Sequence, residues 1–417
     1  MKISRGYKQT ELGIIPEDWD FKTLGELGPF SKGAGISRNE TNTGDKPCVR
    51  YGELYTHHND FIKVFNSHIS KEVATRARLI KYGDILFAAS GETKEDIGKS
   101  VAFVDSFEAY AGGDIIILST DSTICNAKYL GYISNTSFVS KQKAAKAQGD
   151  AVVHITSDAL KTIIITIPPL SEQKAIAEAL SSVDNLIETL DKKIAKKRLI
   201  KQGAMQQLLT GKKRLPGFTE EWKEKKLGEI CLFQNGYTPS KAIRHFWENG
   251  TIPWFRMEDI RTNGRILDHA FQYITNEAVK GNLFPAGSII MSTTATIGEH
   301  ALVIVDSLAN QQFTNLIIRK SFDKQVDTIW FYHYCYTLGE WCRNNINEGG
   351  LAAVNMEDFS NVQITLPPIL EQQAIATILS NMDKEIEELE IRKEKYSLIK
   401  AGMMQKLLTG QIRLKTE

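Results

Sequence analysis

The chain has 417 residues, 42% of them hydrophobic and 24% charged, with a formal net charge of +1. That length supports two to four domains, and the composition is ordinary for a globular protein. A near-neutral charge argues against a sequence-blind coat on nucleic acid, while local patches can still supply phosphate contacts. It also fits a protein that works inside a larger complex.

No run approaches the eighteen or so consecutive apolar residues that suggest a membrane span. Met1-Lys2-Ile3-Ser4-Arg5 lacks the apolar core that a signal peptide carries behind it. The five cysteines are scattered and form no Cys-x-x-Cys pair. Neither a disulfide framework nor a zinc site is expected, and a reducing cytoplasm is the simplest compartment.

In chain order, short β-rich runs come first: Ile85 to Ala88, Asp114 to Leu118 and Ile163 to Thr166, separated by Gly, Asn and Asp turns. A long helix is predicted to open just after Pro168-Pro169, because proline tolerates a helix start but not an interior. A second β-rich region follows, with a helix expected over Ile329 to Cys342. A second long helix opens after Pro367-Pro368. Both long helices should close on Leu-Leu-Thr-Gly, at Gly211 and Gly410.

This order is a repeat. Residues 163–215 and 362–414 align without a gap over roughly fifty positions, and about half are identical. Anchors extend into the globular parts. Trp19 with Leu24-Gly25-Glu26-Leu27 matches Trp222 with Leu227-Gly228-Glu229-Ile230, and Pro47-Cys48-Val49-Arg50 matches Pro253-Trp254-Phe255-Arg256. Gly83-Asp84-Ile85-Leu86 matches Gly287-Ser288-Ile289-Ile290, and Ile97-Gly98 matches Ile297-Gly298. Elsewhere the copies differ widely, as expected of one scaffold recognising two different things.

The long helices carry a heptad seam. Ile176, Leu180, Val183, Ile187, Leu190 and Ile194 are spaced in alternating fours and threes, as are Ile375, Leu379, Met382, Ile386 and Leu389. That alternation lines up one apolar stripe and favours coiled-coil packing. The two helices are expected to pair antiparallel as a spacer of roughly 60 Å. In the alternative, each helix only covers its own globular region. The fold class is α+β: two repeated α/β regions separated by two long helices that form an antiparallel coiled coil.

Catalytic patterns are missing. There is no phosphate-binding Gly-x-x-x-x-Gly-Lys-Ser/Thr loop, since Thr93 stands where the first glycine would precede Gly98-Lys99-Ser100. There is no Asn/Asp-Pro-Pro-aromatic motif, no His-Glu-x-x-His and no Gly-x-Ser-x-Gly. Asp84 with Glu92-Thr93-Lys94 resembles a magnesium nuclease set. The second copy has Ser288 and Thr294-Ala295-Thr296 there, without carboxylates, so a polar loop is the better reading.

Loops rich in hydroxyl, amide and basic groups are the candidates for DNA contact. In the first copy these are Lys32, Ser37, Arg38, Arg50, Tyr51, Glu92, Thr93, Lys94 and His154. In the second they are Thr238, Ser240, Lys241, Arg256, Thr293, Thr294, Asn310 and Gln311. Arg and Lys suit guanine edges or phosphates, Asn and Gln pair with adenine, and Ser and Thr suit phosphates. Arg50 and Arg256 are also readable as structural ion-pair partners, Gln311 as plain surface, and Trp254 as core.

The whole chain resembles the DNA-specificity subunits of Type I restriction–modification systems. The resemblance rests on Ile167-Pro168-Pro169-Leu170-Ser171-Glu172-Gln173 with Ile176-Ala177, repeated as Leu366-Pro367-Pro368-Ile369-Leu370-Glu371-Gln372 with Ile375-Ala376. Gly236-Tyr237-Thr238-Pro239-Ser240 and Ile252-Pro253-Trp254 add to it. It implies target-recognition domains at residues 1–168 and 213–367, with helices at 169–212 and 368–417. It further implies that each domain reads one half of a split site in double-stranded DNA. The helices would dock two modification (methyltransferase) subunits, and restriction (translocase-nuclease) subunits would join for cleavage. The chain itself would hold no cofactor and no metal, with S-adenosylmethionine in the partner methyltransferase. Two other readings are the specificity partner of a Type II-like modification enzyme and a two-domain scaffold that does not bind DNA.

Overall fold

Both long helices begin at the residue after a Pro-Pro pair, in a computed structural model that describes residues 5–10, 13–347 and 352–414. They run over Leu170–Leu208 and Ile369–Leu407. Gly211 and Gly410 follow with φ of 70° and 72°, the left-handed geometry that lets glycine end a helix. Among the described residues no helix is long and apolar enough to cross a membrane.

The chain divides into two units. One comprises Met1–Asp191 and Ile391–Glu417, the other Lys192–Glu390. Each unit therefore holds one globular region, part of its own long helix, and part of the other long helix.

In the first unit, Ile85–Ala88 and Ile115–Leu118 form the centre of a four-stranded antiparallel sheet, flanked by Ser100–Ala102 and Phe30–Lys32. Both central strands are buried at every residue. This explains why they read as continuous apolar runs rather than alternating ones. A second four-stranded sheet pairs Lys46–Val49 with Ala109–Ala111 in parallel. The second unit repeats the plan. Ser288–Ser292 and Phe313–Ile318 pair antiparallel inside a five-stranded sheet, and Ile252–Phe255 pairs with Leu308–Ala309 in parallel. The expected helix is found at Thr328–Asn344.

Each globular region is closed by a ribbon joining its start to its end. Asp20–Thr23 pairs with Ile164–Ile167, and Lys223–Lys226 pairs with Gln363–Leu366. Beside each ribbon sits a buried glutamate latch. In the first unit Glu172 accepts from Trp19 Nε1 at 2.9 Å and from Arg413 Nε and Nη2 at 2.8 and 2.7 Å. In the second, Glu371 accepts from Trp222 Nε1 at 2.9 Å and from Arg214 Nε and Nη2 at 2.7 and 2.6 Å. The neighbouring glutamine completes each latch. Gln173 binds the backbone of Pro168, Ile124 and Asn126, and Gln372 binds that of Pro367, Gln325 and Asp327. These contacts give the repeated Glu-Gln a structural meaning: they weld a helix start to its globular region.

The heptad seam is split between two duties. Ile176 and Leu180 are fully buried, but in the core of the first region, beside Trp19, Tyr129 and Ile165. Ile375 and Leu379 lie likewise in the core of the second, with Met382 packed against it. The opening turns thus cover their own globular regions, and the closing turn of the other long helix joins the same core, through Leu407 and Leu408 in the first and Leu208 and Leu209 in the second. Further along, Leu190, Ile194 and Ile386 are buried, while Val183, Ile187 and Leu389 are half-buried. In this stretch the two helices are bridged by ion pairs in antiparallel sense. Asp184 meets Lys400 at 2.8 Å and Asp191 meets Lys393 at 2.6 Å in the first unit. Arg198 meets Glu390 at 2.5 Å and Lys201 meets Asp383 in the second.

Candidate nucleic-acid interface

Five backbone hydrogen bonds assemble the candidate loops, and each occurs twice. Gly33 N donates to Ile115 O at 2.8 Å, and Gly236 N to Phe313 O at 2.8 Å. Ala34 N to Ala111 O corresponds to Tyr237 N to Ala309 O. Gly112 N to Val49 O corresponds to Asn310 N to Phe255 O. Ala89 N to Asp114 O corresponds to Thr293 N to Gln312 O, and Ile155 N to Ala89 O corresponds to Val354 N to Thr293 O. Loops far apart in sequence thus meet on one face of each unit. The close approach needs glycine at Gly33, where a Cβ would stand 1.8 Å from Gly112 O.

Arg50 and Arg256 hold the same position on these faces. Each precedes a short helix, Tyr51–Thr56 and Met257–Asn263. A carboxylate three residues on takes the arginine backbone N–H: Glu53 at 2.8 Å and Asp259 at 2.7 Å. Those carboxylates are anchored in turn, Glu53 by Ser67 Oγ and Asp259 by Phe271 N. Neither binds the arginine's own guanidinium. Arg256 pairs instead with exposed Glu258 at 2.8 Å, and its Nε is buried without a partner. Arg50 makes no ion pair among the described residues. Asp259 was missed in the sequence, and Glu53, which closes the candidate loop Arg50-Tyr51-Gly52-Glu53, was not read as a support for Arg50. The signal was the repeated Arg-x-x-Glu/Asp spacing, the helix-start pattern in which the third residue reaches back to the chain.

The other candidates of the first unit differ in exposure and partners. Lys32 and Arg38 are exposed, and Tyr51 is 37% exposed. Ser37 is exposed but donates its hydroxyl to Glu40 at 2.7 Å. His154 pairs with Ser90 across a two-residue ribbon and meets its hydroxyl at 2.9 Å. Glu92, Thr93 and Lys94 are exposed beyond it. Thr93 binds Asp96 at 3.0 Å, and Lys94 lies 3.9 Å from Asp150.

In the second unit Thr238, Ser240, Lys241 and Gln311 are exposed, with Thr238 donating to Gln311. Asn310 and Thr294 are half-buried. Thr293 departs from expectation. It is 6% exposed, and its hydroxyl meets Thr314 Oγ1 at 3.0 Å. That burial suits a residue that frames the loop and does not suit direct contact with a ligand. Trp254 is core, at 2% exposed, with Nε1 donating to Tyr237 O.

The nuclease-like set is not assembled. Asp84 is buried at a turn, where it accepts from Lys81 N at 2.8 Å; burial raises its pKa above the ordinary value. The strand Ile85–Ala88 separates it from Glu92, at about 3.3 Å per residue. Among the described residues no cluster of His, Cys, Asp and Glu could hold a metal ion.

Comparison with known proteins agrees with this duplicated plan. A family model described as Type I restriction modification DNA specificity domain matches residues 16–197 and again 219–395. The EcoprrI specificity subunit of Escherichia coli is 47% identical over 164 residues, which are 39% of this chain and 40% of that one. A putative specificity subunit of the Methanocaldococcus jannaschii MjaX enzyme is 28% identical over 98% of this chain and 97% of its own length. The crystal structure of a Type I S subunit from M. genitalium superposes with a TM-score of 0.62 at 14% identity, covering 100% of this chain and 99% of that one. At that identity the likeness speaks for the fold.

Proposed function

Because this chain belongs to the Type I restriction–modification DNA specificity family, whose domain it carries twice, we infer that it is the specificity subunit of such a system and reads a split DNA sequence, one unit per half-site. The observation that carries this reading is the doubled set of backbone bonds that brings the same loops to the same face in both units. One frame holds Gly112-Gly113-Asp114, the other Asn310-Gln311-Gln312. Side chains that differ on a shared frame are what reading two different half-sites requires.

The chain is a reader and carries no chemistry of its own. In this reading S-adenosylmethionine is held by partner methyltransferase subunits, two of which dock on the long helices, and restriction subunits join for cleavage in the cytoplasm. The stretch of helix bridged by the antiparallel ion pairs is a coiled coil that spaces the half-sites. Arg50 and Arg256 approach base edges in the major groove, where a bidentate guanidinium selects guanine.

The experiment is a map of methylated adenines in a host carrying the gene with its partner subunits. Exchange of residues 1–167 for those of a relative is expected to change one half of the target and leave the other. If both halves change together, independent readout is wrong. If no methylation depends on the gene, the function is wrong.

A further inference from the structure

The second unit carries a cleft beside the candidate loop at Thr293 and Thr294, lined by basic residues that the loops themselves do not include. It lies between the helix Met257–Asn263, the turn around Ala295 to Glu299, and the end of the helix Thr328–Asn344, and encloses about 570 Å³. Three guanidiniums line it, Arg261, Arg265 and Arg343, against one carboxylate, Glu299. Glu299 is already taken by Arg265, which also donates to His300 O at 2.9 Å. Arg261 and Arg343 are exposed, and neither forms an ion pair among the described residues. Two uncommitted guanidiniums therefore share one concave site. An anion seated in the cleft would be attracted by both.

The first unit has the same corner and has filled it. Tyr55 stands five residues after Arg50, as Arg261 stands five after Arg256. Its hydroxyl donates to Ser90 O at 3.0 Å, and the same phenol oxygen would lie 2.8 Å from a Cβ on Gly91. Lys143 lies against Gly98 as Arg343 lies against Gly298. It is 1% exposed and donates to Gly98 O at 2.7 Å and Ser134 O at 3.0 Å. One corner is thus closed by a phenol and a sealed ammonium. Its counterpart is open and basic.

We propose that this cleft binds backbone phosphates of the duplex beside the half-site read by the second unit, with Arg261 and Arg343 as the phosphate-contacting residues. The proposal rests on the DNA-reading function inferred above. The guanidinium fork matches phosphate oxygens bidentately. Arg261 lies about 7.5 Å along its helix from Arg256, roughly two nucleotide steps along one strand. A base reader and a phosphate anchor on one short helix would fix the register of the second half-site. Among the described residues, neither Tyr55 nor the buried Lys143 offers an exposed guanidinium at the first unit's corner.

The test uses the full chain with its methyltransferase partner. Binding is measured against a cognate and a random duplex over a salt series, for the wild type, R261Q/R343Q and R261K/R343K. The Gln variant is expected to lose affinity for both duplexes alike, by about tenfold near 0.1 M salt. Its slope of log K against log salt should be shallower by about two. The methylated sequence should stay unchanged, and the Lys variant should recover most of the salt slope. Unchanged affinity in the Gln variant overturns the proposal. So does a loss confined to the cognate duplex, which would make these residues base readers. A thermal shift of the wild type by inorganic phosphate, absent in the Gln variant whose DNA affinity is normal, assigns the cleft to a free anion and also overturns it. Failure of the wild-type complex to prefer any duplex sinks the DNA-reading function itself, and the cleft assignment with it.

Discussion

The latch of the first unit and the latch of the second are nearly superimposable in chemistry, while the faces they support are not. Arg413, from the C-terminal segment, closes on Glu172; Arg214, from the segment between the repeats, closes on Glu371. The two carboxylates are buried to 4% and 0% side-chain exposure, and a tryptophan N–H completes each. On the reading faces, Gly112 of the first unit corresponds to Asn310 of the second, and Tyr55 corresponds to Arg261. The difference has a physical origin. A buried carboxylate must keep every partner, because an uncompensated charge inside a protein is costly. A side chain on the solvent side of a shared backbone frame carries no such obligation and is free to diverge.

The sharpest test of that equivalence is removal of the glutamates. Glu371→Ala should destabilise the second unit by about 3 kcal/mol, since it strands a partly buried guanidinium. Glu172→Ala should cost the first unit a similar amount. Urea unfolding would measure both, with tryptophan fluorescence for the second unit, which holds Trp222, Trp247, Trp254, Trp330 and Trp341, and hydrogen exchange for the first. A near-silent Glu172→Ala would break the comparison.

A smaller effect is expected on the reading faces. Arg256→Ala should cost about 1–3 kcal/mol at one base position of one half-site, and Arg50→Ala the same in the other. Methylome maps of the two variants would read this directly. A uniform loss across sequences would instead mark the arginine as a phosphate contact.

The smallest predicted effect sets the units apart by pH. Burial lowers the pKa of His300 to about 3, with Arg265 adding to it, and burial lowers that of His333 to about 3, with Lys201 adding to it. Both belong to the second unit. A histidine with a depressed folded pKa binds fewer protons folded than unfolded between the two values. Its contribution is full above about pH 6.5 and is lost as pH falls toward 3. Burial also lowers the pKa of His58 in the first unit; with two such histidines against one, the second unit should unfold first on acidification. His300→Phe keeps the edge-on packing against Tyr336 at 4.6 Å and should lower the tryptophan-detected acid midpoint by about half a pH unit. An unmoved midpoint would remove His300 as the cause.

Much of this molecule was determined by its sequence alone. The repeat, the helix starts after Pro168-Pro169 and Pro367-Pro368, the stops before Gly211 and Gly410, and the buried strands at Ile85 and Ile115 depend on local backbone geometry and hydrophobic pattern. Both are written in adjacent residues. The partners of the seam were not legible in the same way. Ile176 and Leu190 share one heptad stripe, yet one lies in a globular core and the other beyond it, because periodicity states which side is apolar and not what covers it. The same limit hid Glu53 and Asp259 as supports of the two arginines and placed Thr293 inside. It also left Arg261 and Arg343 unremarked. Eighty-odd residues of chain lie between them, and only tertiary packing, which closes such distances at no cost that local sequence records, brings their charges to one cleft.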